Sequence, residues 1–79
     1  MKEYTIYLDT IARVKSFVHL VSLQDNDFDL LAGRYVVDAK SIMGIFSLDL
    51  EGPLTLRVHG DVSDELEQAL AAYQSPAAE

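Results

Sequence analysis

Tyr4, Ile6 and Leu8 alternate with Glu3, Thr5 and Tyr7. That period of two predicts a half-buried strand over Glu3–Leu8. Asp9 and Thr10 follow, and either can accept an N–H at the start of a helix. From Ile11 to Leu23 the period changes. Val14, Phe17, Val18 and Val21 recur at spacings of three and four, with Leu20 at the margin of the stripe. Arg13, Lys15, Ser16, His19, Ser22 and Gln24 lie on the opposite, polar side, the signature of an amphipathic helix. Its β-branched residues lower intrinsic propensity, so packing must hold it. Gln24 to Asp27 is a polar connection.

Phe28–Ala32 and Tyr35–Ala39 read as two strands joined around Gly33-Arg34, where glycine accommodates the positive φ of a tight hairpin. Ser41 then caps a short helix. Asp49–Pro53 forms a turn punctuated by Gly52-Pro53. Leu54, Leu56 and Val58 alternate with Thr55, Arg57 and His59, a further strand that ends at Gly60. Asp61 or Ser63 caps a last helix with the stripe Val62, Leu66, Ala69, Leu70 and Tyr73. Asp64, Glu65 and Glu67 sit in its first turn, where the helix dipole favours negative charge. Ser75-Pro76 stops it, and the last few residues are expected to fray. The order is βαββαβα. A sheet with one polar face and three amphipathic helices predicts an α+β open-faced sandwich, with the helices on one side.

Composition narrows the function. The chain has 79 residues and is read as one domain, 1–79; at this length only about 60% of the unfolded surface is buried. Hydrophobic residues make up 49%, enough for a core. There is no cysteine, which excludes disulfides and thiolate metal sites. No run approaches the ~18 apolar residues of a membrane span, and Lys2, Glu3 and Asp9 interrupt any signal core; a cytoplasmic protein is expected. The net charge of −7 disfavours nucleic acid, which needs a basic footprint, and anionic lipid. It favours a basic protein partner or solubility alone. His19 and His59 are isolated, so no metal is expected. No cofactor or hydrolytic or redox constellation is visible, so an ordinary enzyme is not expected.

Lys40-Ser41-Ile42-Met43-Gly44-Ile45-Phe46-Ser47-Leu48-Asp49-Leu50 is too densely apolar for one narrow stripe, and a short helix here leaves large apolar atoms at the surface, as docking sites do. Lys40 to Leu48 resembles a conserved motif of the HPr family, the histidine phosphocarriers of the bacterial sugar phosphotransferase system. The element order fits that family over nearly the whole chain. The resemblance implies an HPr-like βαββαβα open-faced sandwich with a four-stranded antiparallel sheet, three helices on one face, and the first and last strands as neighbours. It also implies that Ser41 matches the regulatory serine phosphorylated by a dedicated kinase in many Gram-positive bacteria. By the same resemblance, Ile42, Met43 and Phe46 match the apolar patch that contacts partners. These would be phosphotransferase-system enzymes, a serine kinase or a catabolite-control regulator.

One part of the resemblance fails. Family members carry phosphate on a histidine at the start of the first helix, in a motif close to Gly-Leu/Ile-His-Ala/Thr-Arg-Pro-Ala. The helix N-terminus supplies unpaired N–H groups there, and the arginine supplies paired donors. The matching segment is Asp9-Thr10-Ile11-Ala12-Arg13-Val14-Lys15. Ala12 and Arg13 fit. Ile11 stands where the histidine is expected, and sliding by one residue puts Thr10 there instead. Asp9 replaces the glycine and would repel a phosphoryl group. His19 lies about 12 Å further along a helix axis, and His59 matches no family site. Arg13 is left either to touch a partner or to pair locally. Two functions are expected to compete, and a third stands beside them. One is a regulatory or protein-binding module acting through the Ser41 helix. The other is an active carrier in phosphoenolpyruvate-dependent sugar phosphotransfer. A third is an HPr-like domain of an unrelated pathway.

Overall fold

The computed structural model describes residues 1–77. The N-terminal alternation becomes strand β1 (Lys2–Ile6), and the first helical stripe becomes α1 (Ile11–Ser22). Then come β2 (Phe28–Ala32), β3 (Tyr35–Asp38), α2 (Ile42–Phe46), β4 (Leu54–Val58) and α3 (Asp64–Ala71). The sheet order is β1-β4-β2-β3, and every neighbouring pair is antiparallel. This is the expected α+β open-faced sandwich, with first and last strands adjacent.

The register explains the core. Tyr4 lies opposite Leu56, Leu56 opposite Leu30, and Leu30 opposite Val37. One row of apolar side chains therefore crosses the sheet on the face that the helices cover. Phe17 and Val21 from α1, Ile45 from α2 and Leu70 from α3 close over it, all fully buried. Each such side chain contributes roughly 1.5–3 kcal/mol by leaving water.

The strands are shorter than their hydrophobic patterns. Leu8 is fully buried, as the alternation requires, but β1 ends at Ile6 opposite Leu54. Continuing the register would set Tyr7 opposite Pro53 at a non-hydrogen-bonded position, so the Tyr7 N–H turns away from β4. Tyr7 N–H donates instead to Tyr73 O at 2.7 Å. Ala39 is buried and its N–H reaches Phe28 O at 3.0 Å, but the chain then turns, with Ser41 N–H on Asp38 O. The hairpin tip has Gly33 at φ +60°, and Arg34 is not at positive φ. Glycine alone at the first central position is the type II′ pattern.

Helix ends follow the expected side chains. Thr10, rather than Asp9, caps α1, and Ser63, rather than Asp61, caps α3. The last helix ends before Ser75-Pro76. Its final turn tightens through Tyr73 N–H on Leu70 O at 2.9 Å and Gln74 N–H on Ala71 O at 3.2 Å, the i→i+3 pattern that satisfies end carbonyls. The expected single domain 1–79 and the expected fraying of its end reach residues 78 and 79, which lie outside the described residues.

Candidate functional site

The start of α1 is built by Thr10, whose extended backbone lets Oγ1 accept the Arg13 N–H at 3.1 Å. Ile11 is the first helical residue and 65% exposed. Its side chain is hydrocarbon and offers no atom for proton or phosphoryl transfer.

Arg13 was expected either at a partner or paired locally. The structure places its guanidinium within the chain. Nη1 donates to Tyr7 O at 3.1 Å, to Asp9 Oδ1 at 3.2 Å and to Ser75 O at 2.9 Å, and Nη2 donates to Ala72 O. The Ala72 and Ser75 carbonyls lie just past the end of α3, where a cation is favoured. The guanidinium also stands 5.4 Å from the centre of the Tyr73 ring. That ring meets Phe17 edge-on at 5.5 Å, and its hydroxyl bonds Ser16 Oγ at 2.6 Å. Asp9 closes the clasp by accepting the Ala77 N–H on Oδ2 at 3.0 Å. That N–H, helped by Arg13, holds the Asp9 carboxyl below its ordinary value.

The spacing of Asp9 and Arg13, four residues apart, was a legible signal for their pairing. The remaining acceptors lie 59 and 62 residues from Arg13, and no local pattern marks them. Neither imidazole joins the clasp. His19 is in the last turn of α1 and exposed. His59 follows β4, with Nε2 2.7 Å from Asp29 Oδ2. Among the described residues no group of three or more such side chains is placed to hold a metal ion.

The second candidate region is α2. Ser41 is exposed, and its Oγ accepts the Gly44 N–H at 3.2 Å while its carbonyl accepts the Ile45 N–H at 3.0 Å. Gly44 permits the close approach beneath: a Cβ there would stand 3.3 Å from both Ser41 Oγ and Val37 Cβ. The apolar residues of α2 divide by depth. Ile45 is fully buried, and Ile42 is half-buried against the core. Met43 is 78% and Phe46 44% exposed. Three residues apart on a helix, Met43 and Phe46 are surface neighbours. The expected patch of Ile42, Met43 and Phe46 is thus two exposed side chains with Ile42 partly withdrawn beneath the surface.

No family model matches the chain, and no curated protein matches it. Among solved structures it is similar to HPr-C-His from Thermoanaerobacter tengcongensis, with a TM-score of 0.76 and 30% identity over 91% of this chain and 89% of that one. It is also similar to a phosphocarrier protein HPr from Bacillus anthracis str. Ames, with a TM-score of 0.70 and 32% identity over 94% of each chain.

Proposed function

The chain belongs to the HPr family, and we propose that within it the protein is a regulatory or protein-binding member that has given up carrying phosphate on a histidine. The observation that carries this reading is Ile11, a hydrocarbon side chain at the first helical position. The Asp9 carboxylate nearby already occupies Arg13 and would repel an incoming phosphoryl group. Docking is assigned to α2. Met43 and Phe46 offer apolar area, Ile42 supports them, and Ser41 is an accessible hydroxyl at the N-cap. A phosphate on Ser41 would add roughly −2 charge at the helix start. Partners are proteins of the phosphotransferase system, a serine kinase or a catabolite-control regulator, met in the cytoplasm. The protein acts as a binding module and not as an enzyme. Among the described residues no helix is long and apolar enough to cross a membrane.

The second reading is an active phosphocarrier, favoured by the Bacillus anthracis neighbour, which is itself a phosphocarrier. Incubation with phosphoenolpyruvate and the general phosphotransferase enzyme I, followed by intact mass, separates the two. The first reading expects no change; an acid-labile gain of one phosphate establishes the second. In parallel, the HPr serine kinase with ATP is expected to add one acid-stable phosphate that is lost in Ser41→Ala. No addition, beside a control substrate that is modified, leaves Ser41 as a cap alone. Met43→Asp is expected to abolish capture of partners that the parent retains.

A further inference from the structure

The outer edge of the sheet at β3 is unlike the edge at β1. The β1 edge is tied to α3: Lys2 Nζ and Tyr4 OH both donate to Glu67 Oε1, at 2.9 and 3.1 Å. On β3, Tyr35 and Val36 are 67% and 56% exposed. The hairpin register pairs Ala32 with Tyr35, Leu31 with Val36 and Leu30 with Val37, and gives the Ala39 N–H to Phe28 O. Backbone polar groups alternate sides along an antiparallel strand. Tyr35, Val37 and Ala39 therefore turn theirs towards β2, and Val36 turns its N–H and C=O outward. Arg34 and Asp38 flank Val36 symmetrically, two positions away on each side, and both are exposed. Among the described residues Arg34 makes no ion pair.

We propose that the β3 edge pairs with the β3 edge of a second copy of this chain, antiparallel, about a two-fold axis at Val36. In that register the two Val36 residues exchange both backbone hydrogen bonds. Tyr35 of each copy faces Val37 of the other, and Arg34 of each faces Asp38 of the other. The strand is thus complementary to itself in backbone, apolar contact and charge. The reverse pattern, with like charges at 34 and 38, would forbid the same pairing. The two sheets become one continuous sheet, with the helices of both copies on one side. α2 packs beside this strand, with Gly44 close to Val37, but the pairing uses the outward backbone of Val36 and the side chains of β3, not those of Met43 and Phe46.

One short strand buries little area, so the dimer is weak, with half-dissociation expected near about 0.1–1 mM. At ~0.15 M salt the Debye length is ~8 Å, and the net charge of each copy is screened while contact pairs persist. Sedimentation equilibrium of the full chain over a concentration series under these conditions is expected to move from one chain towards two. Arg34→Glu alone and Asp38→Lys alone should each weaken association at least about tenfold, a change of ~1.4 kcal/mol. The double variant Arg34→Glu/Asp38→Lys should restore it, and Met43→Asp should leave it unchanged. Circular dichroism of each variant checks that it folds. The restored double variant cannot be mistaken for a folding defect. A chain that stays single up to about 1 mM overturns the proposal, as does a dimer indifferent to both single changes or one that Met43→Asp abolishes.

Discussion

Arg13 and Asp9 join parts of the chain that are remote in sequence, because one guanidinium has enough donors to reach the β1–α1 connection and the end of α3 together. Asp9 makes this clasp sensitive to acid. Its folded-state value lies below the ordinary one, chiefly because the Ala77 N–H, and then Arg13, favour the charged form. A carboxyl depressed in this way stabilises the fold fully above its unfolded value, about pH 4. That contribution is lost as pH falls through the folded value. Glu67 moves in the same direction through Lys2 and Tyr4, so acid loosens the α3–β1 contact as well. The parent and Asp9→Asn separate the two effects. At neutral pH the parent is expected to have the higher urea midpoint. The difference should shrink as pH falls below about 4. A difference that stays constant across that range would show that the Asp9 charge is not its source.

At the scale of elements, α2 is the least self-sufficient piece. Five residues cannot nucleate a helix unaided; Ser41 at one end and the buried Ile45 beneath hold it. Ser41→Ala is expected to cost about 1 kcal/mol in urea unfolding, whereas Ser41→Asp should cost only a few tenths, since aspartate also caps. A partner that binds the two variants differently but tracks the added charge is then responding to charge, not to an unwound helix. Equal losses of stability in both variants would contradict the cap. The boundaries and caps show why elements were largely legible and the clasp was not. The stripe of Val14, Phe17 and Val21 and the alternation of Leu54, Leu56 and Val58 are periodic in the chain, and they are the residues the fold buries. The early end of β1 goes with the Tyr7 N–H bonding to Tyr73 O, a partner remote in the chain that no local pattern announces. Arg13 looked like a surface residue because its α3 acceptors are backbone carbonyls, invisible to side-chain patterns. Met43 and Phe46 were legible as surplus apolar residues, but their separation from Ile42 by depth required the packing against β3.

The whole molecule carries 13 acidic and 6 basic residues, and their placement decides how it responds to salt. Lys2–Glu67, Arg13–Asp9 and Arg57–Glu3 are the lysine and arginine ion pairs among the described residues. They use half of the basic side chains and leave most carboxylates without such a partner. Asp25, Asp27 and Asp61 gather at one end of the sheet, where Asn26 Nδ2 links the loops by donating to His59 O and Asp61 O at 2.9 and 2.8 Å. Asp64 and Glu65 are compensated by the start of α3, but the loop carboxylates are not. Two of the three pairs have a partner more than half exposed, and exposed pairs contribute little. Screening should therefore remove more repulsion than attraction. Raising sodium chloride from about 10 mM to about 0.5 M, which shortens the Debye length from ~30 Å to a few ångströms, is expected to raise the thermal midpoint by a few degrees. On a chain of this size that corresponds to stabilisation of order 1 kcal/mol. A fall in the midpoint would mean that the three pairs, the Arg13 clasp foremost, outweigh the repulsion spread over the surface. The same field acts on encounters: a basic partner approaching α2 should associate more slowly as salt rises. The apolar contact of Met43 and Phe46 is little affected by screening, so the rate of dissociation should change less.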